Sequence, residues 1–526
     1  MTMIACCSPL LLLILSPGVC QAGNILVFSA EGSHWLNMNI LLQALHSRGH
    51  NITVVHSSKS WYIPNNSSYY NTVTVQVERG VDQELFTNFL SKAVQFEQDA
   101  YPLIKLLCIF VEMVGSVFEI HKVVIEFVST LLDDRELMRN IEGSKFDLLL
   151  TDPAWGAGVI LAKYLNLPLV FNVRWLLTLE GHLALAPSPV SYVPIIGSGN
   201  IDKMTFFQRV NNMISYLINQ TQYHFLVKVY QKICDKYLVP ENEFKQLVLN
   251  ADIWLMRTDF VFDFPRPTMP NVVYIGGFHC RPAKPLPRHL EDFVQSSGEH
   301  GVIIMSLGTF LSELPADMTN KMSAAFAKLP QKVIWRHKGD RPATLGNNTL
   351  LVDWMPQNDL LGHPKIKLFV AHGGTNGVQE AIYHGVPVVG VPVFFDQKDN
   401  LVRLKERGGA MILTLAKVDK DDNFREAIQE VLTEPSYRLN MQRLSRLYRD
   451  QPMKPLDTAL FWIEFVMRHK GAAHLRTESY RLPWYSYHSV DVILFLITVT
   501  LVILLLFAGL LWSCFRLCIK RKLKSD

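Results

Sequence analysis

Polar residues and glycines at 372–377, with the sequence HGGTNG, follow directly on an apolar run and form a pattern that could bind phosphate. The run at 368–371 is typical of a buried parallel strand, and the segment after the turn is compatible with a helix that ends near Gly385. Such a turn leaves backbone N–H groups without partners at the positive end of the helix. Gly373 and Gly374 have no Cβ that would obstruct a ligand. The stretch therefore predicts a phosphate or diphosphate site.

A carboxylate and an amide follow shortly afterwards. We expect a second strand to end in Phe395-Asp396-Gln397, at the carboxyl edge where open α/β sheets bind ligands. Side chains of this kind can accept from and donate to hydroxyl groups. The stretch 369–397 thus combines a predicted phosphate site with predicted hydroxyl-binding groups.

A possible acid–base pair lies much earlier in the chain. His34 lies in the predicted loop after the first apolar run of the mature chain, 24–29, and Asp152 ends another predicted strand. Parallel strands present their carboxyl ends at one edge, so the two side chains can meet. A neutral imidazole can act as a general base, and a carboxylate on its other nitrogen would fix the tautomer. Asp147 is the rival partner, but it begins the strand. A single loop histidine is more often structural than catalytic.

The elements that must position these groups repeat a strand–helix–strand pattern. We expect strands at 24–29 and 52–55 with a helix at 38–48 between them, which is the start of a parallel, doubly wound α/β domain. The apolar, helical stretch 85–132 is interpreted as core and pocket wall. A proline-rich linker at 279–287 precedes a new strand at 302–306, which runs into Gly308 and Thr309. Two doubly wound domains are therefore predicted.

Length and charge limit the class of protein. A chain of 526 residues is too long for one core, and 49 % hydrophobic with 19 % charged residues argues against disorder. The formal net charge of +4 is small for this length. It gives no case for nucleic-acid binding.

The two ends of the chain predict a protein that enters the endoplasmic reticulum and stays anchored in its membrane. The first 22 residues read as a signal peptide, with an apolar run at 10–15. The stretch 492–515 contains no charged residue and is long enough to span a bilayer, and basic residues follow it. By the positive-inside rule the tail is cytosolic and the protein is single-pass type I, with its body in the lumen. Lys522 and Lys524 resemble the lysine-based retrieval signal of endoplasmic-reticulum membrane proteins; an ordinary basic flank is the alternative.

Cysteine usage predicts neither a disulfide framework nor a zinc site. Only Cys108, Cys234 and Cys280 are expected in the lumen, and they have no CxxC spacing. Glycosylation sequons are compatible with the lumen, although the sequence does not decide which are used. They begin at Asn51, Asn65, Asn66, Asn219 and Asn347.

The stretch FVAHGGTNGVQEAIYHGVPVVGVPVFFDQ at 369–397 resembles the signature of the UDP-sugar glycosyltransferases. Nearly the whole chain resembles the membrane-bound UDP-glucuronosyltransferases, and the segments EGSHWL at 31–36 and LTDP at 150–153 resemble their catalytic segments. One departure is Ala371, where that family usually has Thr or Ser. The resemblance implies the GT-B fold, with two Rossmann-like domains and a C-terminal transmembrane helix.

The resemblance also implies domain boundaries. They are a signal peptide at 1–22, an N-terminal acceptor-binding domain at 23–280, a C-terminal UDP-sugar-binding domain at 281–450, a return helix and juxtamembrane segment at 451–490, a transmembrane helix at 491–515 and a cytosolic basic tail at 516–526. In the family, the apolar helix at 455–466 crosses back onto the first domain.

Roles for individual residues follow from the same resemblance. His34 would be the catalytic base and Asp152 its partner. Arg257 would bind the carboxylate of glucuronate. The alternative is that Arg257 is an ordinary surface arginine that binds no ligand. The remaining predicted contacts are with the donor: Trp354 and Gln357 with uracil, Thr309, His372, Gly374, Thr375 and Asn376 with the diphosphate, Glu380 with the ribose, and Asp396 and Gln397 with the sugar hydroxyls.

The reaction that the resemblance implies is inverting transfer of glucuronate from UDP-glucuronate to a hydroxyl of a small lipophilic acceptor, giving a β-glucuronide and UDP. No metal is expected, because a helix end and His372 could balance the leaving charge. Two alternatives remain open: the same reaction with UDP-glucose or another UDP-sugar, and a catalytically silent UDP-sugar-binding membrane protein. The acceptor's identity and the formation of a homo- or hetero-oligomer are also open.

Overall fold

The computed structural model describes residues 22–97, 103–176, 179–239, 241–308, 314–418, 420 and 422–522. Residues 1–21 of the predicted signal peptide lie outside this part of the chain. Thr309, predicted to contact the diphosphate, and Lys524 of the predicted retrieval signal also lie outside the described residues.

The first domain is built on a seven-stranded, all-parallel sheet with the order β3-β2-β1-β4-β5-β8-β9. Its central strands are short Val-, Ile- and Leu-rich runs that are buried on both faces, as a sheet covered by helices on two sides requires. A separate antiparallel pair, β6 and β7, follows β5. The strands are β1 (Asn24–Phe28), β2 (Asn51–Ser57), β3 (Asn71–Val75), β4 (Leu148–Thr151), β5 (Leu169–Val173), β6 (Trp175–Leu176), β7 (Leu179–Glu180), β8 (Ile253–Met256) and β9 (Val272–Tyr274).

Two of the helices of this domain are much longer than the rest. α3 has 31 residues and α7 has 32, and α7 begins with a capping box in which Thr205 and Gln208 exchange side chain and backbone hydrogen bonds. The helices are α1 (Ser33–Ser47), α2 (Gln83–Glu97), α3 (Leu103–Asp133), α4 (Arg135–Gly143), α5 (Ala157–Tyr164), α6 (Gly181–Leu185), α7 (Phe206–Tyr237) and α8 (Phe244–Leu249).

The second domain has a six-stranded parallel sheet with the order β12-β11-β10-β13-β14-β15. Its strands are β10 (Val302–Ser306), β11 (Lys332–Arg336), β12 (Thr349–Val352), β13 (Ile366–Ala371), β14 (Val388–Gly390) and β15 (Ala410–Ile412). Its helices are α9 (Arg288–Gln295), α10 (Ala316–Ala327), α11 (Gln357–Leu361), α12 (Thr375–His384), α13 (Gln397–Glu406), α14 (Leu415–Val418), α15 (Asn423–Thr433) and α16 (Pro435–Arg449). The predicted fold class, two doubly wound parallel domains, is confirmed.

The next helix, α17 (Pro455–His469), returns to the first domain. Its buried residues Ala459, Leu460 and Ile463 belong to the same hydrophobic cluster as Ile25 of β1 and Leu41 of α1. The chain from 22 to 475 is therefore one compact unit that contains both sheets.

The described residues from 476 to 522 form a second unit. It contains a short 3₁₀ helix (Glu478–Tyr480), α18 (Trp484–Tyr487) and the long helix α19 (Val490–Lys522). Another short 3₁₀ helix, Ala473–Leu475, ends the first unit. Residues 490–520 of α19 have a mean hydropathy of 3.0 over the most apolar window, enough for this helix to cross a membrane.

Two local predictions were wrong. α1 begins at Ser33 and not near Met38, because Gly32 turns the chain with a φ of 64°, so His34 lies in the first helical turn. The strand expected to reach residues 395–397 ends at Gly390, two residues before Pro392, which cannot donate to a β-ladder. Asp396 instead lies at the N-terminus of α13, and Gln397 is the first residue of that helix.

Candidate active site

A cavity of about 700 Å³ is lined by residues from both sheets, mostly at the carboxyl ends of their strands. This volume falls in the range of small-molecule sites in proteins. All the described residues that were predicted to contact the donor line it, and His34 does so as well. They are Arg257, Trp354, Gln357, His372, Gly374, Thr375, Asn376, Glu380, Asp396 and Gln397.

His34 and Asp152 are in direct contact. The distance between His34 Nδ1 and Asp152 Oδ2 is 2.6 Å. The register of β1 and β4 pairs Phe28 with Thr151, so the residues that follow these strands lie at one edge of the sheet. Burial alone would raise the pKa of the Asp152 carboxyl, but the charges and hydrogen bonds of His34 and Arg257 hold this pKa below its ordinary value. The carboxylate therefore stays ionised beside the imidazole.

Arg257 completes this cluster. It is the first residue after β8, and its Nη2 lies 3.3 Å from both Asp152 Oδ2 and His34 Nδ1. The alternative that Arg257 is a surface residue is wrong, because its exposed fraction is only 5 %. Its predicted contact with a sugar carboxylate stays a prediction.

The glycine turn of the second domain supports a histidine. His372 directly follows β13, Gly373 has a φ of 89°, and Gly374 caps the N-terminus of α12. A Cβ added at Gly374 or at Gly308 would lie 2.5 Å from His372 Nε2. The space that was expected to admit the ligand at Gly374 is thus filled by the imidazole. Burial lowers the pKa of His372 to about 4, so the ring is neutral.

The residues predicted to hold the nucleoside lie beside this turn. The Trp354 ring is 60 % exposed, and the guanidinium of Arg336 lies 5.3 Å from its centroid, a cation–π distance. Gln357 begins α11, and its Nε2 donates to Glu380 Oε2 over 2.6 Å. Burial raises the pKa of Glu380 to about 7. An aromatic face, an amide and a carboxyl therefore share one end of the cavity.

Asp396 is held by an arginine of the other domain. Its Oδ2 accepts from Arg174 Nη2 at 2.5 Å, Asn400 Nδ2 at 2.8 Å, Arg174 Nε at 3.0 Å and Thr375 Oγ1 at 3.1 Å. Gln397 uses its Oε1 to accept from the backbone N–H groups of residues 393 and 394, which fixes the turn before α13. Both side chains line the cavity, but Asp396 also binds Arg174 and Gln397 also stabilises the turn before α13.

Further hydrogen bonds join the domains around the cavity. Asn37 Nδ2 donates to Asn376 Oδ1 over 3.0 Å. Gln379 donates to the backbone oxygen of Arg257 and accepts from the backbone N–H of Gly277. The domains are thus in a closed arrangement that brings the first-domain cluster opposite the glycine turn.

The opposite end of the cavity is apolar. Its wall comes mainly from α2 and α3, which agrees with the interpretation of residues 85–132 as pocket wall. Asn219, one of the sequon residues, also lines the cavity, and its Nδ2 donates to the backbone oxygens of residues 196 and 215. A glycan on this nitrogen would replace one of its two N–H groups and remove one of these hydrogen bonds, so the local structure disfavours this sequon.

The family model described as "UDP-glucoronosyl and UDP-glucosyl transferase" matches residues 23–525. The chain belongs to this family. It is 42 % identical to human (Homo sapiens) UDP-glucuronosyltransferase 2A2 over 503 residues, which cover 94 % of this chain and 93 % of that protein. It is 43 % identical to mouse (Mus musculus) UDP-glucuronosyltransferase 2A1, with 91 % of both chains covered. The chain is a hexosyltransferase.

Solved structures agree with the fold of this transferase. The calicheamicin glycosyltransferase CalG4 matches with a TM-score of 0.56 and 17 % identity, over 85 % of this chain and 98 % of the other. A UDP-glucosyltransferase from Polygonum tinctorium matches with a TM-score of 0.58 and 15 % identity, over 85 % and 99 %. At these identities the likeness establishes the GT-B fold alone.

Sequence reasoning missed several cavity residues of the transferase. Arg174 is the first residue after β5, just as Asp152 follows β4 and Arg257 follows β8, three strands that are adjacent in the sheet. The rule that placed Asp152 at the carboxyl edge could have found Arg174. Arg336, the last residue of β11, obeys the same rule in the second sheet. Among the described residues, no group of three or more His, Cys, Asp or Glu could hold a metal ion.

Proposed function

We propose that this transferase moves glucuronate from UDP-glucuronate to a hydroxyl of a small lipophilic acceptor, with inversion, and releases UDP and a β-glucuronide. The observation that carries the proposal is the 2.6 Å contact between His34 and the buried Asp152 beside a cavity with one apolar and one polar end. The names of the relatives at 42 and 43 % identity support glucuronate as the sugar.

In the proposed reaction, His34 Nε2 takes the proton of the acceptor hydroxyl. Asp152 accepts the Nδ1–H, which sets the tautomer and stabilises the imidazolium as it forms. The acceptor oxygen then attacks the anomeric carbon as the bond between that carbon and the diphosphate oxygen breaks. The electron pair of the broken bond leaves with UDP.

The departing diphosphate would lie at the N-terminus of α12, where Gly374 and Thr375 begin the helix. His372 contributes a hydrogen bond there and not a charge, because its pKa of about 4 keeps it neutral. In this proposal the helix end carries the electrostatic stabilisation, and no metal ion is required.

For the donor sugar, Asp396 and Gln397 would bind hydroxyls, and Arg257 would bind the carboxylate. The Oδ1 atom of Asp396 would accept from a sugar hydroxyl, since the contacts with Arg174, Thr375 and Asn400 are all made by Oδ2. A guanidinium that already contacts one carboxylate can donate to a second through its remaining N–H groups.

We further propose that α19 crosses the endoplasmic-reticulum membrane once, with the catalytic domains in the lumen and the basic tail in the cytosol. The support is the apolar length of α19 and the Arg and Lys residues at its C-terminal end. A lipophilic acceptor could then reach the cavity from the membrane in which the enzyme is anchored.

The test uses microsomes that contain the full chain, a simple phenol and each radiolabelled UDP-sugar in turn. We expect a glucuronide from UDP-glucuronate and no product from the variant His34→Ala. The matched control is His46→Ala, an exposed histidine on the same helix, which should retain full activity. Transfer from UDP-glucose alone would contradict the proposed sugar, and no product with any donor across a range of phenols would favour the silent binding protein.

A further inference from the structure

A buried histidine lies in the apolar wall of the cavity, outside the cluster around Asp152. His121, in the middle of α3, has an exposed fraction of 1 % and lines the cavity. Its Nδ1 lies 2.9 Å from the hydroxyl oxygen of Tyr230, a buried residue of α7. Among the described residues, Tyr230 is the only hydrogen-bond partner of the ring. The imidazole is thus a polar group set among side chains such as Met113, Val117 and Phe118.

The hydrogen bonds around Tyr230 determine where the proton of His121 lies. We assign the Tyr230 O–H as the donor to His121 Nδ1, because the backbone N–H of Gly156 lies near the hydroxyl oxygen and favours its role as an acceptor there. Since Nδ1 accepts, the ring proton must lie on Nε2. Burial lowers the pKa of His121 to about 3, so the ring is neutral and has one N–H. That N–H is on the nitrogen that Tyr230 does not contact.

The orientation of the ring is fixed from two sides. The His121 ring packs edge-on against Trp155, with centroids 5.2 Å apart, and edge-on against Tyr230, with centroids 5.7 Å apart. Gly156 must lack a Cβ here, because one would lie 2.8 Å from the Tyr230 ring. Trp155 is in the same loop as Asp152, so one segment of chain supports both His34 and His121. The donor is therefore rigid before a ligand binds.

A pocket of this kind binds by apolar contact and obtains orientation from a few fixed polar groups. We propose that His121 determines acceptor specificity: its Nε2–H donates a hydrogen bond to a second oxygen of the acceptor, distinct from the hydroxyl that is conjugated. The inference rests on the proposed function. It predicts a preference for acceptors with a carbonyl or ether oxygen over hydrocarbons of the same size.

The test compares two fused bicyclic phenols of similar size, 7-hydroxycoumarin, which has a lactone carbonyl, and 2-naphthol, which does not. The readout is the ratio of kcat/KM for 7-hydroxycoumarin to that for 2-naphthol, measured with full-length protein in microsomes and saturating UDP-glucuronate. In His121→Phe, which keeps an aromatic ring but has no donor, this ratio should fall by about threefold to tenfold. His121→Gln, whose amide can donate in place of Nε2–H, should restore part of it.

Two further variants separate orientation from folding. Tyr230→Phe removes the O–H that sets the tautomer and should lower the ratio in the same direction, whereas His224→Phe, at an exposed position of α7, should leave it unchanged. An equal loss of kcat/KM for both phenols in His121→Phe, or an unchanged ratio, would overturn the inference while leaving the proposed function intact. If the wild-type chain formed no glucuronide from either phenol, the proposed function would fail first, and the inference with it.

Discussion

Two buried aspartates of the candidate active site each contact an arginine, but the two pairs are built differently. Asp152 and Arg257 follow strands of the same sheet, β4 and β8, and their closest atoms are 3.3 Å apart. Asp396 belongs to the second domain and accepts from Arg174 of the first domain at 2.5 and 3.0 Å. One pair is therefore a property of a single domain, and the other exists only while the domains are closed.

The difference indicates what each carboxylate does. Asp152 makes its shortest contact with His34 at 2.6 Å, so most of its charge is directed to the imidazole and the arginine is a secondary partner. Asp396 makes its shortest contact with the arginine itself. Since a guanidinium is a permanent charge and an imidazole can take up a proton, the first cluster suits proton transfer and the second suits domain closure.

The largest effect is expected when the first cluster is broken. Asp152→Asn keeps the shape of the side chain but removes the charge that orients His34 and stabilises its imidazolium. We expect kcat to fall by about 10²- to 10⁴-fold, with little change in the KM for the donor. Initial rates in microsomes at saturating phenol would measure this.

The control for this prediction is at the other end of the same strand. Asp147 lies before β4 and contacts Lys470 at 2.6 Å, far from the carboxyl edge. Asp147→Asn should therefore keep its rate. A full rate in Asp152→Asn, or a comparable loss in Asp147→Asn, would contradict the assignment of Asp152 as the partner of His34.

A smaller effect is expected when the second cluster is broken. Arg174→Met leaves the carboxylate of Asp396 buried without its cation, and removing one partner of a buried ion pair costs about 3–5 kcal/mol. The cost should appear as weaker closure, with a KM for the UDP-sugar at least about tenfold higher and a lower melting temperature, rather than as a slower chemical step.

A double variant sharpens this prediction. Adding Asp396→Asn to Arg174→Met removes the unpaired charge, so the melting temperature should recover while the KM for the donor stays high. The two substitutions share one contact and should be strongly non-additive. Additive losses of stability would show that Arg174 and Asp396 do not act as a pair, and the contrast between the two clusters would then be lost.

The carboxyl edge of the sheets could be predicted from sequence, because apolar runs that end in a polar residue are visible without a structure. This rule placed Asp152 and His372 correctly at the ends of β4 and β13. It failed for Arg174, because the apolar run Leu169-Val170-Phe171 predicts a strand that ends at residue 171, whereas β5 continues to Val173. A boundary error of two residues was enough to hide the residue that holds Asp396.

Hydrogen bonds between the domains could not be predicted from the sequence, for a different reason. Asn37 and Asn376, or Gln379 and Gly277, are far apart in the chain and have no spacing that indicates a pair. α7 was missed because polar and apolar residues are mixed around the helix, so no amphipathic stripe reveals it. Tyr230 belongs to this helix, so the environment of His121 could not be predicted either.

The smallest effect concerns a third carboxyl of the cavity, which contacts an amide and not a guanidinium. Glu380 accepts from Gln357, and burial raises its pKa from an ordinary value of 4.5 to about 7. The folded protein thus holds a proton that the unfolded chain releases, so the contribution of Glu380 to stability falls as the pH rises from about 4.5 to about 7. At pH 6 the group is mostly protonated, and at pH 8 it is mostly ionised.

Ribose hydroxyls donate better to an ionised carboxylate than to a protonated one. The dissociation constant of UDP, measured by calorimetry, should therefore rise by up to about tenfold from pH 8 to pH 6, in step with the protonation of Glu380. Glu380→Gln removes this titration and leaves only that of the ligand's own phosphate, so its profile should be flatter. Identical profiles in the two proteins would contradict the titration of Glu380 as the cause of the weaker binding at pH 6.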